Sequence, residues 1–145
     1  RLRGVGIVRC ERVEKEGARV VALHCTLDPT TGAGMPGADR KVKGTIHWVS
    51  APHAREAEVR LYERLFLVPD PDDESGGKGY RDHINPGSRR VVRAWTEPAL
   101  ALALPEQGFQ FERMGYFVAD RHEHSDARPV YNRTATLRDT WARRA

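Results

Sequence analysis

Proline and glycine punctuate this sequence too often for long helices. Its 145 residues include 13 Gly and 9 Pro, so the chain is cut into short elements joined by turns. Between the cuts, apolar residues mostly recur at every second position, the period of a strand. Ala57, Val59 and Leu61 alternate with Glu56, Glu58 and Arg60, and Phe109 and Phe111 alternate with Gln110 and Glu112. Short half-buried strands at regular intervals, bounded by turn signals, make an all-β sandwich or barrel set.

Residues 5–14 and 19–26 are strand-like runs around Lys15-Glu16-Gly17-Ala18, a hairpin signal. The apolar succession Val20-Val21-Ala22-Leu23 predicts that part of this pair is covered on both faces. Residues 28–37 hold five Gly or Pro and read as a loop. Residues 41–49 predict a strand with Lys41, Lys43, Thr45 and His47 on a cationic face, read as solvent-exposed or as a phosphate contact. After the 56–61 strand, residues 62–68 are mixed and allow a short helical turn. Residues 69–80, rich in Asp, Gly and Pro, predict a mobile acidic loop. A strand over Arg89–Thr96 precedes the apolar stretch 98–105, where Ala and Leu favour one helical turn. Residues 121–128 predict a polar turn, 130–137 a last strand and 138–144 a frayed basic end. No internal repeat and no clean boundary between two halves is legible.

Hydrophobic residues make up 39% and charged residues 30% of the chain. That composition allows a thin core, in one ordinary domain or two very small ones. The formal charge of +4 favours a polyanionic partner without establishing one. Its carriers are mostly Arg, which suits phosphates and base edges better than Lys. Cys10 and Cys25 lack metal or redox spacing. They fall in neighbouring predicted strands and are expected to be reduced, buried thiols. No apolar run reaches membrane-spanning length and no signal peptide is legible, so a cytoplasmic protein without a membrane partner is expected. The start at Arg1, without Met, reads as a fragment of a longer polypeptide.

Two constellations invite chemistry. Glu56 and Glu58 share a strand face like paired carboxylates, but strand periodicity alone produces such pairs. His122, Glu123, His124 and Asp126 invite a metal, yet no further ligand pattern accompanies them, and a solvated loop is the expectation. His47 and His53 flank Trp48 and read as structural. No catalytic residue and no metal site is assigned.

The stretch Gly108-Phe109-Gln110-Phe111-Glu112-Arg113-Met114-Gly115-Tyr116-Phe117 carries more. Rings on one face of a strand would hold the backbone rigid, leaving an amide and a carboxylate projecting from the other. Arg113 shares the parity of the rings, so the strand is expected to end or bulge there, at Met114-Gly115. Alone, this is an aromatic-stapled hairpin. Recognition of a single-stranded RNA loop, however, needs cations for phosphates and planar groups for base edges. Gln110 offers a donor and an acceptor together, as a uracil edge requires.

Other motifs stand in a fixed order around this hairpin. Arg40-Lys41-Val42-Lys43-Gly44-Thr45-Ile46-His47-Trp48-Val49-Ser50 and Val59-Arg60-Leu61-Tyr62-Glu63-Arg64-Leu65-Phe66 precede it. Pro129-Val130-Tyr131-Asn132-Arg133-Thr134 and Leu137-Arg138-Asp139-Thr140-Trp141 follow. In this order the chain, from Arg1-Leu2-Arg3 to Trp141, resembles the C-terminal anticodon-binding part of the glutaminyl-tRNA synthetases. The resemblance implies two small tandem β-barrels of a ribosomal-protein-like type. It also implies a parent glutamine–tRNA ligase, a class I aminoacyl-tRNA synthetase. The chain has neither a His-x-Gly-His-like turn nor a Lys-Ser-Lys-type loop, so it is not expected to be catalytic alone. ATP and magnesium are expected in the parent's catalytic domain, with no cofactor in this chain. The implied partners are that domain and the anticodon loop of a glutamine-accepting tRNA, with the protein monomeric. By the resemblance, Gln110, Glu112 and Arg113 belong to the pocket for the middle anticodon base, and Arg1 and Arg3 contact the wobble base and its phosphate. The alternatives are the related glutamyl enzyme and a β-barrel protein-interaction module that binds no RNA.

Overall fold

The computed structural model describes residues 1–73 and 76–137. Glu74 and Ser75 of the expected acidic loop, and the expected basic end from Arg138, lie outside the described residues. The chain divides into two compact units, Arg1–Trp48 and Val49–Ala145, and its strands make two separate sheets.

In the first unit, β1 (Ile7–Glu16) and β2 (Arg19–Asp28) form an antiparallel ribbon. Gly17 turns it with φ of 61°, a left-handed conformation that glycine adopts without steric cost. Cys10 lies opposite Cys25, but both thiols are free and exposed, which corrects the expectation of burial. The apolar run on β2 is corrected likewise: Val20 is 50% and Leu23 58% exposed. A two-stranded ribbon has no second layer of its own with which to cover either face.

A 3-10 turn at Pro29–Thr31 follows, with the Asp28 side chain accepting from the Thr30 amide. Thr31 is fully buried. Its hydroxyl accepts from the Ile7 amide at 2.7 Å and donates to the Asp28 carbonyl at 2.7 Å. Residues 41–49 do not form the expected strand. Their pairing is one bridge, Leu2 to Ile46. The Ile46 amide donates to the Arg1 carbonyl at 2.8 Å and the Arg3 amide to the Ile46 carbonyl at 3.1 Å. The reason lies in the opposing segment, which doubles back through Gly4 (φ 74°) so that the Leu2 amide meets the Gly6 carbonyl. Too little extended edge remains for a ladder.

In the second unit, β3 (Arg55–Tyr62), β4 (Arg89–Thr96), β5 (Gly108–Phe111), β6 (Gly115–Ala119) and β7 (Val130–Ala135) build one sheet in the order β4-β3-β7-β6-β5. The β3–β7 pair is parallel and the other pairs are antiparallel. Among the described residues these ladders leave β4 and β5 as the two edges, and the fold class is all-β. Ala57, Val59, Phe117, Ala119 and Tyr131 form the core, with Phe109, Phe111 and Leu100 packed against it. The apolar stretch after β4 is a 3-10 turn, Pro98–Leu102, and the Leu100 carbonyl accepts from the Tyr131 hydroxyl at 3.2 Å. The short helical turn expected over 62–68 is absent: β3 runs on to Tyr62, and Phe66 instead bridges Ile84.

The polar turn after β6 is not wholly solvated. His124 is buried against the Tyr131 ring. Its Nδ1 accepts from the Val130 amide at 3.2 Å, and its Nε2 donates to the Ala103 carbonyl at 3.1 Å. A tightly paired, buried imidazole is a structural group, which corrects the solvated-loop expectation for this residue. Arg60, on the polar parity of β3, is buried as well. Glu58 (2.7 Å), Asp120 (3.3 Å) and Glu123 (2.8 Å) surround its guanidinium.

Candidate nucleic-acid interface

The β5–β6 hairpin is held from below. Phe109 meets Tyr131 edge-on at 5.9 Å, and Phe111 meets Tyr131 at 5.4 Å and Phe117 at 4.3 Å. With these rings on the inner face, alternation places Gln110 on the outer face, where it is exposed. Gln110 pairs across the ladder with Tyr116.

The hairpin turn is strained. The Met114 amide donates to the Phe111 carbonyl at 2.9 Å, closing a turn over Glu112 and Arg113. Arg113 sits at φ 61°, the left-handed region that glycine or asparagine usually fills at the third position of a type II turn. The strand therefore ends before Arg113, as its parity requires, and the side chain is exposed instead of entering the core. Gly115, opposite Phe111, has φ 143°, and a Cβ there would lie 2.5 Å from the Ala135 carbonyl. No larger residue fits without moving β7. The structure thus brings Gln110, Glu112 and Arg113 together on one hairpin, with Glu112 half-buried. Among the described residues Arg113 shares a positive φ with one other non-glycine residue, Glu106 at 67°.

Arg1 and Arg3 lie in the other unit. The Arg1 guanidinium donates to the Thr31 carbonyl (3.1 Å) and the Arg40 carbonyl (3.0 Å), and its main-chain nitrogen donates to the Gly44 carbonyl (2.9 Å). It therefore ties the 3-10 turn to the cationic segment that carries Lys41 and Lys43, both exposed. Arg3 is exposed, and its backbone is fixed on both sides. Its amide donates to Ile46, and its carbonyl accepts from the Trp48 indole at 3.0 Å.

The carboxylate pair is not poised for proton transfer. Glu56 accepts from Nε and Nη2 of Arg93, and Glu58 is shared by Arg60 and Arg128. Hydrogen bonds from these guanidinium groups hold both carboxyls below their ordinary range, so they stay ionised. The depression of about 380 Å³ that they help to line, with Val91, Arg93, Arg128 and Pro129, includes none of the hairpin residues. Among the described residues, no three His, Cys, Asp or Glu side chains are grouped to hold a metal ion. No helix among them is long and apolar enough to cross a membrane.

Residues 45–120 match the family model described as "tRNA synthetases class I (E and Q), anti-codon binding domain". The chain belongs to this family. The match covers β3 to β6 and contains Gln110, Glu112 and Arg113; Arg1 and Arg3 lie outside it. Two proteins named glutamine–tRNA ligase are similar over 99% of the chain: one from Xanthomonas axonopodis pv. citri, 63% identical, and one from Xylella fastidiosa, 62% identical. The chain spans 25% of the length of either relative.

Two features of this hairpin were not read from the sequence. The left-handed Arg113 carries no composition signal, because the usual glycine is absent. The exposed Tyr116 beside Gln110 follows from strand parity once the turn length is known.

Proposed function

We propose that this chain holds the anticodon loop of a glutamine-accepting tRNA, as part of a glutamine–tRNA ligase. The observation that carries the proposal is the exposed Gln110 amide on a hairpin clamped by Phe109, Phe111 and Gly115, next to Arg113 at positive φ. A uracil edge presents a carbonyl and an N–H side by side, and a fixed carboxamide can meet both. Arg113 supplies the cation for a carbonyl or a phosphate, and Glu112 orients it. Arg3, with its backbone tied to Ile46 and Trp48, contacts the wobble nucleotide. Arg1 has two nitrogens on carbonyls of its own unit and uses its remaining N–H groups. The names of the similar proteins favour glutamine over glutamate as the attached amino acid. ATP and magnesium, and the chemistry of adenylation and transfer, belong to the parent's catalytic domain. The parent works as a cytoplasmic monomer.

The test is binding of the full chain to glutamine tRNA across a salt series. Log affinity falls linearly with log salt, with a slope of about −0.7 per neutralised single-strand phosphate. A flat response would favour a protein-binding module instead. ATP-dependent pyrophosphate exchange by this chain alone, at a synthetase-like rate, would also overturn the assignment.

A further inference from the structure

The outer face of the β5–β6 hairpin carries an aromatic ring that the proposed reading of the anticodon has not yet used. Tyr116 is the cross-strand partner of Gln110, so both side chains leave the same face, with Cβ atoms about 5 Å apart. Its flanking residues, Gly115 and Phe117, are buried, whereas Tyr116 is 47% exposed. The ring contacts of this sheet, Phe109–Tyr131, Phe111–Phe117, Phe111–Tyr131 and His124–Tyr131, gather around the core residue Tyr131. The β6–β7 register shifts at this point: Tyr116 faces Ala135 and Phe117 faces Arg133, which leaves Thr134 of β7 as the extra residue. The Tyr116 carbonyl accepts from the Thr134 hydroxyl at 3.2 Å on the bulged strand, so the backbone under the ring is fixed.

We propose that Tyr116 is the stacking platform for the base whose edge Gln110 reads, a specificity-determining residue of the same site. The proposal rests on the anticodon-binding function proposed above. A lone amide in water discriminates poorly, because water competes for both of its hydrogen bonds. A base laid on the Tyr116 ring is confined to a plane, with its edge within reach of the neighbouring carboxamide. Stacking thereby supplies affinity, which every base can share, and the amide supplies the choice among bases. A splayed pyrimidine fits the short cross-strand spacing.

The test uses the full chain and an anticodon stem-loop RNA carrying 5-iodouridine at the middle anticodon position. Irradiation joins this base to an aromatic ring stacked on it. The expected crosslink maps to Tyr116 by mass spectrometry. Tyr116→Phe keeps the affinity within about threefold. Tyr116→Leu, which keeps apolar volume but not the ring, weakens binding about 10- to 100-fold with an unchanged melting temperature. A crosslink confined to other residues overturns the proposal, and so does a Tyr116→Leu chain that binds like the unaltered one. Those results leave the anticodon function standing if Gln110→Ala still loses discrimination. Failure of the unaltered chain to bind the RNA overturns both readings.

Discussion

Phe111 lies nearly flat on Phe117, with ring centroids 4.3 Å and planes 19° apart. The contact is diagonal across the hairpin because the residue directly opposite Phe111 is Gly115, which has no side chain to intervene. Gln110, one residue away, leaves the opposite face. Core and surface are therefore separated at adjacent positions. Phe111→Ala removes a half-buried ring with two aromatic neighbours and should cost about 3 kcal/mol of stability, the lower end for such truncations. Gln110→Ala should leave the melting temperature unchanged. It should also lose about 1–3 kcal/mol of discrimination at the middle anticodon base, by analogy with bidentate base contacts in duplexes. The measurement is binding to tRNAs that differ only at that base, with denaturation curves alongside. Full discrimination by a folded Gln110→Ala chain would remove Gln110 from the site.

Arg113 allows a sharper separation, because there the backbone cost and the proposed role pull in opposite directions. Its φ of 61° costs roughly 1–2 kcal/mol for a residue with a Cβ. Arg113→Gly relieves that cost. The variant should melt higher than the unaltered chain while binding tRNA more weakly. If Arg113 touches phosphate, affinity for cognate and mismatched tRNAs falls together; if it touches the base, only the cognate suffers. A variant that is less stable would show that the side chain anchors the turn and is not displayed by it.

How much of this was legible depends on whether the signal was local. The β1–β2 hairpin and the β5–β6 hairpin were readable because turn residue and alternation lie within one short window: Gly17 in the first, Met114-Gly115 in the second. The 41–49 stretch had equally good alternation and failed, because a strand also needs an edge to pair with, and residues 1–6 fold back through Gly4. Exposure of Val20 and Leu23 was misread for a related reason, since apolar succession reports what a residue tolerates and not whether a second layer is present. Burial of Arg60 and His124 was illegible because both are covered by partners distant in sequence: Asp120 and Glu123 for the first, Ala103 for the second. On the β5–β6 hairpin, the outward placement of Gln110 was legible from parity, but the left-handed Arg113 was not.

The loop between Leu67 and His83 should tolerate shortening. Its ends are joined independently of its tip. The Leu67 amide donates to the His83 carbonyl at 2.8 Å, the Asn85 amide to the Leu65 carbonyl at 2.7 Å, and Phe66 bridges Ile84. Closing a loop that is a few residues shorter changes its entropy by only a fraction of 1 kcal/mol. Deletion of residues 72–78 should therefore shift the melting temperature by no more than a few degrees. A large loss on thermal denaturation would show that this segment packs against the second unit's core.

Asp120 gives the fold a specific acid sensitivity. Its carboxylate accepts from the Asn132 amide at 2.7 Å, then from the backbone of Glu123 and His122 at 2.9 Å, and lies 3.3 Å from Arg60. These donors favour the charged form and lower its pKa from 3.8 to about 2. A depressed folded-state pKa adds stability that is fully present above the unfolded value. That stability is lost as pH falls from about 4 through about 2, and the shift corresponds to about 2 kcal/mol. Asp120→Asn, nearly isosteric, should be less stable by about that amount at pH 7. The gap between the two proteins should narrow below pH 4 and close near pH 2, as read from urea denaturation at each pH. Arg60→Met attacks the same cluster from the other side. It leaves Glu58, Asp120 and Glu123 without their shared cation, and because the last is partly open to water, the loss should be about 2–3 kcal/mol, below that of a fully buried pair. If Asp120→Asn keeps a constant deficit down to pH 2, the carboxylate's charge is not what binds the turn after β6 to β3 and β7.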